Sequence, residues 1–192
     1  MLTLFYLFFS IPCLAFSPHD TQMGKINFNY TSGTKSFHVD GANINVTYHG
    51  FSEAEAQEVF EIVERSMQMA PSFLREHGMQ TKYTCEDYSI DLYDLPKDVL
   101  NDHRVMTFMN QGKPFSPMSG LYDSEGSAPG KSSIFISAYV GYSERSRRKI
   151  LSHELLHYWQ ERTCNNRFVE KMQTQAMLFE NIVANSFEAS LY

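Results

Sequence analysis

The chain has 192 residues, of which 43% are hydrophobic and 20% are charged, and its formal net charge at pH 7 is -6. This length and composition predict a single globular domain with a sizeable core. Because an acidic surface repels a phosphate backbone, we expect no nucleic-acid partner. An enzyme, a binding module and a structural protein all remain compatible with these features.

The N-terminal segment predicts export. Residues 1–15 form a short apolar run that ends at Ala15, which is typical of a cleaved secretory signal peptide and therefore of a secreted or periplasmic protein. A membrane anchor is the alternative, but the run is short for a bilayer span and contains Pro12. We expect a polar arm at residues 16–34, one domain at residues 35–192, and no stable membrane span after cleavage.

Two cysteines remain after cleavage, Cys85 and Cys164. In an oxidising compartment they predict one disulfide bond. Two buried free thiols are the alternative, because the sequence does not define the distance between them.

Alternating apolar residues predict the strands. A β-hairpin is expected at residues 35–48 around Gly41, and further strands at residues 88–93, 105–109 and 133–139, with at most a short strand near Leu121. The Gly, Pro and Ser-rich segment that contains Leu121 is otherwise expected to be irregular.

Helical periodicity follows the hairpin. Ser52 and Glu55 form a capping-box signature, and apolar residues then recur at helical spacing over residues 53–70. We expect Pro71 to kink or restart this helix and Gly78 to end it.

The most informative segment is His153-Glu154-Leu155-Leu156-His157. On a helix, expected at residues 143–163, the two imidazoles lie one turn apart on the same face and form half of a tetrahedral zinc site. Glu154 is then close enough to deprotonate a water molecule at an open coordination position. The pattern predicts a Zn2+ cofactor and hydrolytic chemistry.

This segment resembles the HExxH motif of the zincin superfamily of metallopeptidases. The metzincin pattern requires a glycine and a histidine where this chain has Gln160 and Thr163. No histidine follows His157 and no aspartate follows Asp123, so a third ligand after the motif would be a glutamate, as in the gluzincin branch. The candidate glutamates downstream are Glu161, Glu170, Glu180 and Glu188.

We select Glu180 as the third ligand because it continues an apolar stripe in a closing helix expected at residues 168–190. A carboxylate on such a stripe is costly unless it is paired or bound to metal. The alternative is an ion pair with Arg145 or Arg148. The stripe consists of Val169, Met172, Ala176, Val183 and Phe187. The run Ala184-Asn185-Ser186-Phe187 is also similar to one in the last helix of ImmA/IrrE-like metallopeptidases.

The order of elements predicts an α+β fold: a small mixed sheet, a long upstream helix, the motif helix and a C-terminal helix. The resemblance implies a zinc-dependent metallopeptidase that hydrolyses peptide bonds by a zinc-activated water, with Glu154 as general base and a peptide or protein as substrate. It also implies that the strand at residues 133–139 is the edge along which the substrate pairs. Tyr142, Tyr158 and His103 are available to stabilise an oxyanion, and none is assigned.

Two alternatives remain open at this stage. One is a catalytically inactive zincin-like secreted protein with a binding or immunity role. The other is a structural secreted protein with an accidental motif. The oligomeric state is not defined by the sequence.

Overall fold

A computed structural model describes residues 33–39, 41–79, 89–95, 120–123, 132–137, 139–162 and 169–189. The predicted signal peptide, most of the arm and the strand predicted at residues 105–109 lie outside these ranges, as do Cys85, Cys164 and His103, so the disulfide bond stays a prediction. Within the ranges given, no helix combines the length and apolar character needed to cross a membrane.

The predicted α+β class is confirmed. The elements, in chain order, are β1 (Gly33–Val39), β2 (Ala42–His49), α1 (Glu53–Glu76), β3 (Ser89–Leu95), β4 (Gly120–Asp123), β5 (Ser132–Ser137), a 3-10 turn (Tyr139–Gly141), α2 (Glu144–Arg162) and α3 (Val169–Ala189). The strands form one mixed sheet in the order β1-β2-β3-β5-β4. The central pairs β2–β3 and β3–β5 are parallel, whereas the outer pairs β1–β2 and β4–β5 are antiparallel.

The prediction that residues 133–139 form an edge strand is wrong. Residues 132–137 form β5, which pairs with β3 on one side and β4 on the other. Among the described strands, β4 lies at the edge of the sheet next to the motif helix. Four residues of regular strand inside a Gly, Pro and Ser-rich segment are enough to cover β5, although they are too few to produce a strong alternating pattern.

The hairpin and the first helix follow from local sequence. Gly41 has a φ of 84° in the turn between β1 and β2, a conformation that glycine adopts without a steric penalty. Ser52 and Glu55 form the predicted capping box, with bonds of 3.4 Å and 2.6 Å between each side chain and the other residue's backbone N–H.

The helix does not restart at Pro71, because α1 continues to Glu76. A proline inside a helix removes one backbone hydrogen bond and crowds the preceding turn. Here Phe73 and Leu74 are buried beyond the proline. Their packing holds the last turn of the helix against the core.

The core lies between the sheet and the helices. Motif helix α2 packs against α1 and α3 and also contacts β4 and β5, so four other elements surround it. The buried apolar residues of the sheet are Phe37, Val39, Ile44, Val46, Ile90, Leu92, Leu95, Ile134, Phe135 and Ile136. Those of the helices include Val59, Ile62, Val63, Met67, Leu151, Leu155, Leu156, Trp159, Ala176, Phe179 and Val183.

Candidate metal centre

Polar contacts anchor the start of α2. The Asp94 carboxylate, at the end of β3, accepts a hydrogen bond of 2.9 Å from the Tyr139 backbone N–H. Burial raises the pKa of Asp94 to about 6, and this hydrogen bond opposes the rise. Arg147 donates to the Tyr142 carbonyl at 2.8 Å and forms an ion pair of 2.9 Å with Glu58 on α1. The first turn of α2 is thereby tied to the sheet and to α1.

The two motif histidines converge as the helical spacing predicts. The Nε2 atoms of His153 and His157 lie 3.2 Å apart. Two ligands of one tetrahedral zinc ion, each about 2.0–2.1 Å from it, lie roughly 3.3 Å from each other. The imidazole pair therefore has the separation that a shared metal ion requires.

Acceptor groups hold the other nitrogen of each ring. Glu180 Oε2 lies 2.8 Å from His153 Nδ1, and Gln160 Oε1 lies 2.8 Å from His157 Nδ1. The Gln160 amide orientation is defined because its Nε2 donates to the Met172 carbonyl at 2.9 Å. Each neutral ring therefore carries its proton on Nδ1 and presents a lone pair at Nε2, the form that binds metal.

The His157 ring is kept neutral by its surroundings. Burial lowers the pKa of His157, and the neighbouring His153 lowers it further, while hydrogen bonds to Gln160 and Gln173 partly oppose this change. A neutral imidazole at pH 7 is the ligand form.

Glu180 reaches the site, but from the side of His153 Nδ1 rather than Nε2. Its other oxygen, Oε1, forms an ion pair with Lys149 Nζ at 2.9 Å. The alternative partners are engaged elsewhere, since Arg145 pairs with Glu188 and Arg148 with Glu144. Glu180 thus lies beside the imidazole pair in a position that orients a ring.

Gln173 also lies at the site, although the sequence did not predict it there. Its Oε1 lies 3.0 Å from His153 Nε2 and 2.8 Å from His157 Nε2. Gln173 precedes Glu180 by seven residues, which is two helical turns, so both project from the same side of α3. That spacing is the sequence signal that could have identified it.

Glu154 is buried between α2 and edge strand β4. Its carboxylate accepts a hydrogen bond from the Tyr122 backbone N–H. A Cβ atom at Gly120 would lie 2.9 Å from both Cγ and Oε1 of Glu154, so the absence of a side chain there leaves room for the carboxylate. Burial raises the pKa of Glu154 to about 8, with a smaller contribution from the charge of Glu180.

Of the residues considered for an oxyanion role, His103 lies outside the described residues, and the Tyr158 ring lies edge-on to that of Tyr122 at 6.5 Å between centroids. Tyr158 is buried in the core and packs edge-on against Trp159, and Tyr142 precedes α2. Its backbone carbonyl is occupied by Arg147.

The raised pKa of Glu154 predicts a pH dependence of stability in the metal-free protein. The folded state binds this proton more tightly than the unfolded state, whose carboxyl has a pKa near 4.5, so the stabilising contribution is complete below pH 4.5 and is lost as pH rises to about 8. This one group changes the free energy of unfolding by at most about 1.4 kcal/mol per pH unit.

Chemical denaturation of chelator-treated protein at several pH values measures this contribution. Glu154→Gln should remove it, so the variant should become more stable relative to the wild type between pH 5 and 8, roughly the window between the two pKa values. If the difference in free energy of unfolding between the variant and the wild type stayed constant across this range, the raised pKa of Glu154 would be contradicted.

Two side chains of the site supply donor atoms that suit one metal ion. Within the ranges that the structure describes, no three His, Cys, Asp or Glu side chains are grouped so as to hold a metal ion. The two imidazole nitrogens nevertheless match two ligands of one zinc ion, both in atom type and in separation. Comparison with protein-family models, curated proteins and solved structures found no match.

Proposed function

We propose that the protein is a secreted or periplasmic zinc-dependent metallopeptidase in which Glu154 is the general base. The observation that carries this proposal is the pair of Nε2 atoms 3.2 Å apart, each on a ring whose Nδ1 is held by an acceptor oxygen. Rings oriented in this way present two lone pairs to one point, as metal-binding histidines do. Residues 1–15 support export.

Zinc at this position would supply a Lewis acid for the substrate carbonyl and for water. The residues of the chain have separate tasks. His153 and His157 would hold the metal, and Glu154 would take a proton from the attacking water and return it to the leaving amine nitrogen. The water oxygen bonds to the carbonyl carbon as the C–N bond breaks, so the products are a carboxylic acid and an amine.

The surroundings of Glu154 support its assignment as a base. In the metal-free protein its raised pKa favours the protonated form at neutral pH. A cation beside it would lower the pKa again and produce the ionised base. Proton affinity near neutrality suits a group that must both accept and release a proton.

Edge strand β4 supports a peptide substrate. It pairs with β5 on one side, and among the described strands no other pairs with it. Its residues Gly120 and Tyr122 contact or adjoin Glu154. An extended peptide that adds to such an edge by backbone hydrogen bonds would place its scissile amide near the candidate base.

Metal analysis of the purified protein tests this proposal. After reconstitution and removal of free metal, we expect one zinc ion per chain, as well as chelator-sensitive hydrolysis of a mixed peptide library that returns on adding zinc. Absence of bound zinc would end the enzyme proposal. Stoichiometric zinc without hydrolysis would instead favour a zincin-like binding or immunity protein.

A further inference from the structure

Resting on the proposed zinc site, we infer that its third protein ligand is the side-chain oxygen of Gln173, and that Glu180 is a positioning residue for His153. The assignment departs from the carboxylate that the sequence favours. The assignment rests on which side-chain atoms lie next to the Nε2 atoms of His153 and His157.

Three electron-pair donors converge at this point. The distances between His153 Nε2, His157 Nε2 and Gln173 Oε1 are 3.2, 3.0 and 2.8 Å. Each lies within about 0.5 Å of the roughly 3.3 Å expected between two ligands of one tetrahedral zinc ion. The three atoms thus form one triangular face of such a site and leave a fourth position open.

The Glu180 carboxylate is committed elsewhere. One oxygen lies 2.8 Å from His153 Nδ1 and the other lies 2.9 Å from Lys149 Nζ. Neither contact involves an Nε2 atom. A carboxylate that accepts from the Nδ1–H of a ligating histidine orients the ring and raises its basicity, which is a common arrangement around protein-bound metals.

Proton positions support a cation at the triangle. Glu180 and the defined oxygen of Gln160 accept from the Nδ1–H of the two rings, so in the metal-binding tautomer Nε2 of each ring is an acceptor. In that tautomer both Nε2 atoms and the Gln173 oxygen are acceptors that face one another. A bound cation removes this repulsion, and an amide oxygen is an uncharged donor that a cation can use.

The opposite orientation of the Gln173 amide gives a different role. Its NH2 group would donate to both Nε2 atoms and compete with metal, so removal of the side chain would strengthen zinc binding. The two roles therefore predict opposite signs for the same substitution.

Zinc titration calorimetry of the wild type, Gln173→Ala, Gln173→Glu, Glu180→Ala and Glu180→Gln tests the assignment. Loss of a ligand should exceed the 10–100-fold that loss of an orienting partner typically costs, so Gln173→Ala should weaken zinc by about 100-fold or more. Gln173→Glu should bind about tenfold more tightly or better, because a carboxylate adds charge to the site. Glu180→Ala should lose about 10–100-fold, and Glu180→Gln less, since its amide oxygen still accepts from His153.

The visible spectrum of the cobalt(II)-substituted protein supplies a readout independent of activity. Changing the ligand through Gln173→Glu should shift its absorption bands, whereas Glu180→Gln should leave their pattern close to that of the wild type. Gln57→Ala, at an exposed position of α1, is the matched control and should alter neither measurement.

Unchanged or stronger zinc binding in Gln173→Ala would overturn the ligand assignment while leaving the proposed function intact. A larger loss in both Glu180 variants than in Gln173→Ala would return the ligand role to Glu180. Failure of the wild type itself to bind zinc would remove the proposed function and this inference together. Because Gln173 is exposed, its replacement should leave the metal-free fold intact, which circular dichroism checks.

Discussion

Replacing Glu154 with glutamine should lower peptide hydrolysis by roughly 10²–10⁴-fold, the usual contribution of a positioned general base, and leave bound zinc at one ion per chain. Glutamine is nearly the same size and its oxygen can still accept from the Tyr122 N–H. Its amide cannot take a proton from water or return one to an amine. Parallel measurement of hydrolysis rate and zinc content separates the loss of the base from the loss of the metal.

Glu144→Gln is the matched control, because Glu144 lies on the same helix with a largely exposed side chain. This variant should retain nearly full activity. A Glu154→Gln protein that hydrolyses peptides as fast as the wild type would exclude Glu154 as the base. Loss of zinc from that variant would instead indicate that the carboxylate supports the metal site itself.

The sequence predicts the imidazole pair because its geometry is local to one helix. Residues four apart on α2 lie on one face whatever the rest of the fold does, and the observed Nε2 separation of 3.2 Å agrees with that expectation. The hairpin and the capping box of α1 are also local, and both are confirmed. A short segment of sequence is enough to specify each of these features, because turns, caps and helical faces depend only on neighbouring residues.

The third side of the site depends on how two helices pack, which periodicity does not specify. The sequence places Glu180 on the inner side of α3, and the structure brings it to His153. Whether it faces Nδ1 or Nε2 depends on the rotation and offset of α3 against α2. Gln173 carries no charge, so its position offers no burial cost that would single it out in sequence. The edge role of β4 was missed for a related reason, since it arises from pairing between distant segments.

The histidine pair itself should account for zinc-dependent stability. Zinc that binds only the folded protein stabilises it by about 4 kcal/mol at a concentration 1,000 times its dissociation constant, and thermal unfolding of the wild type should shift upward as zinc is added. His153→Ala and His157→Ala each remove one of two converging nitrogens, so this shift should disappear in both.

His38→Ala is the control, because His38 is an exposed residue of β1 at the opposite edge of the sheet from β4. It should keep the full zinc-dependent shift. Without metal, His157→Ala removes the 2.8 Å hydrogen bond between His157 and Gln160. This loss should lower the free energy of unfolding of the metal-free protein by about 0.5–1.5 kcal/mol, the usual net contribution of one hydrogen bond. A full zinc shift in either site variant would mean that the metal binds elsewhere.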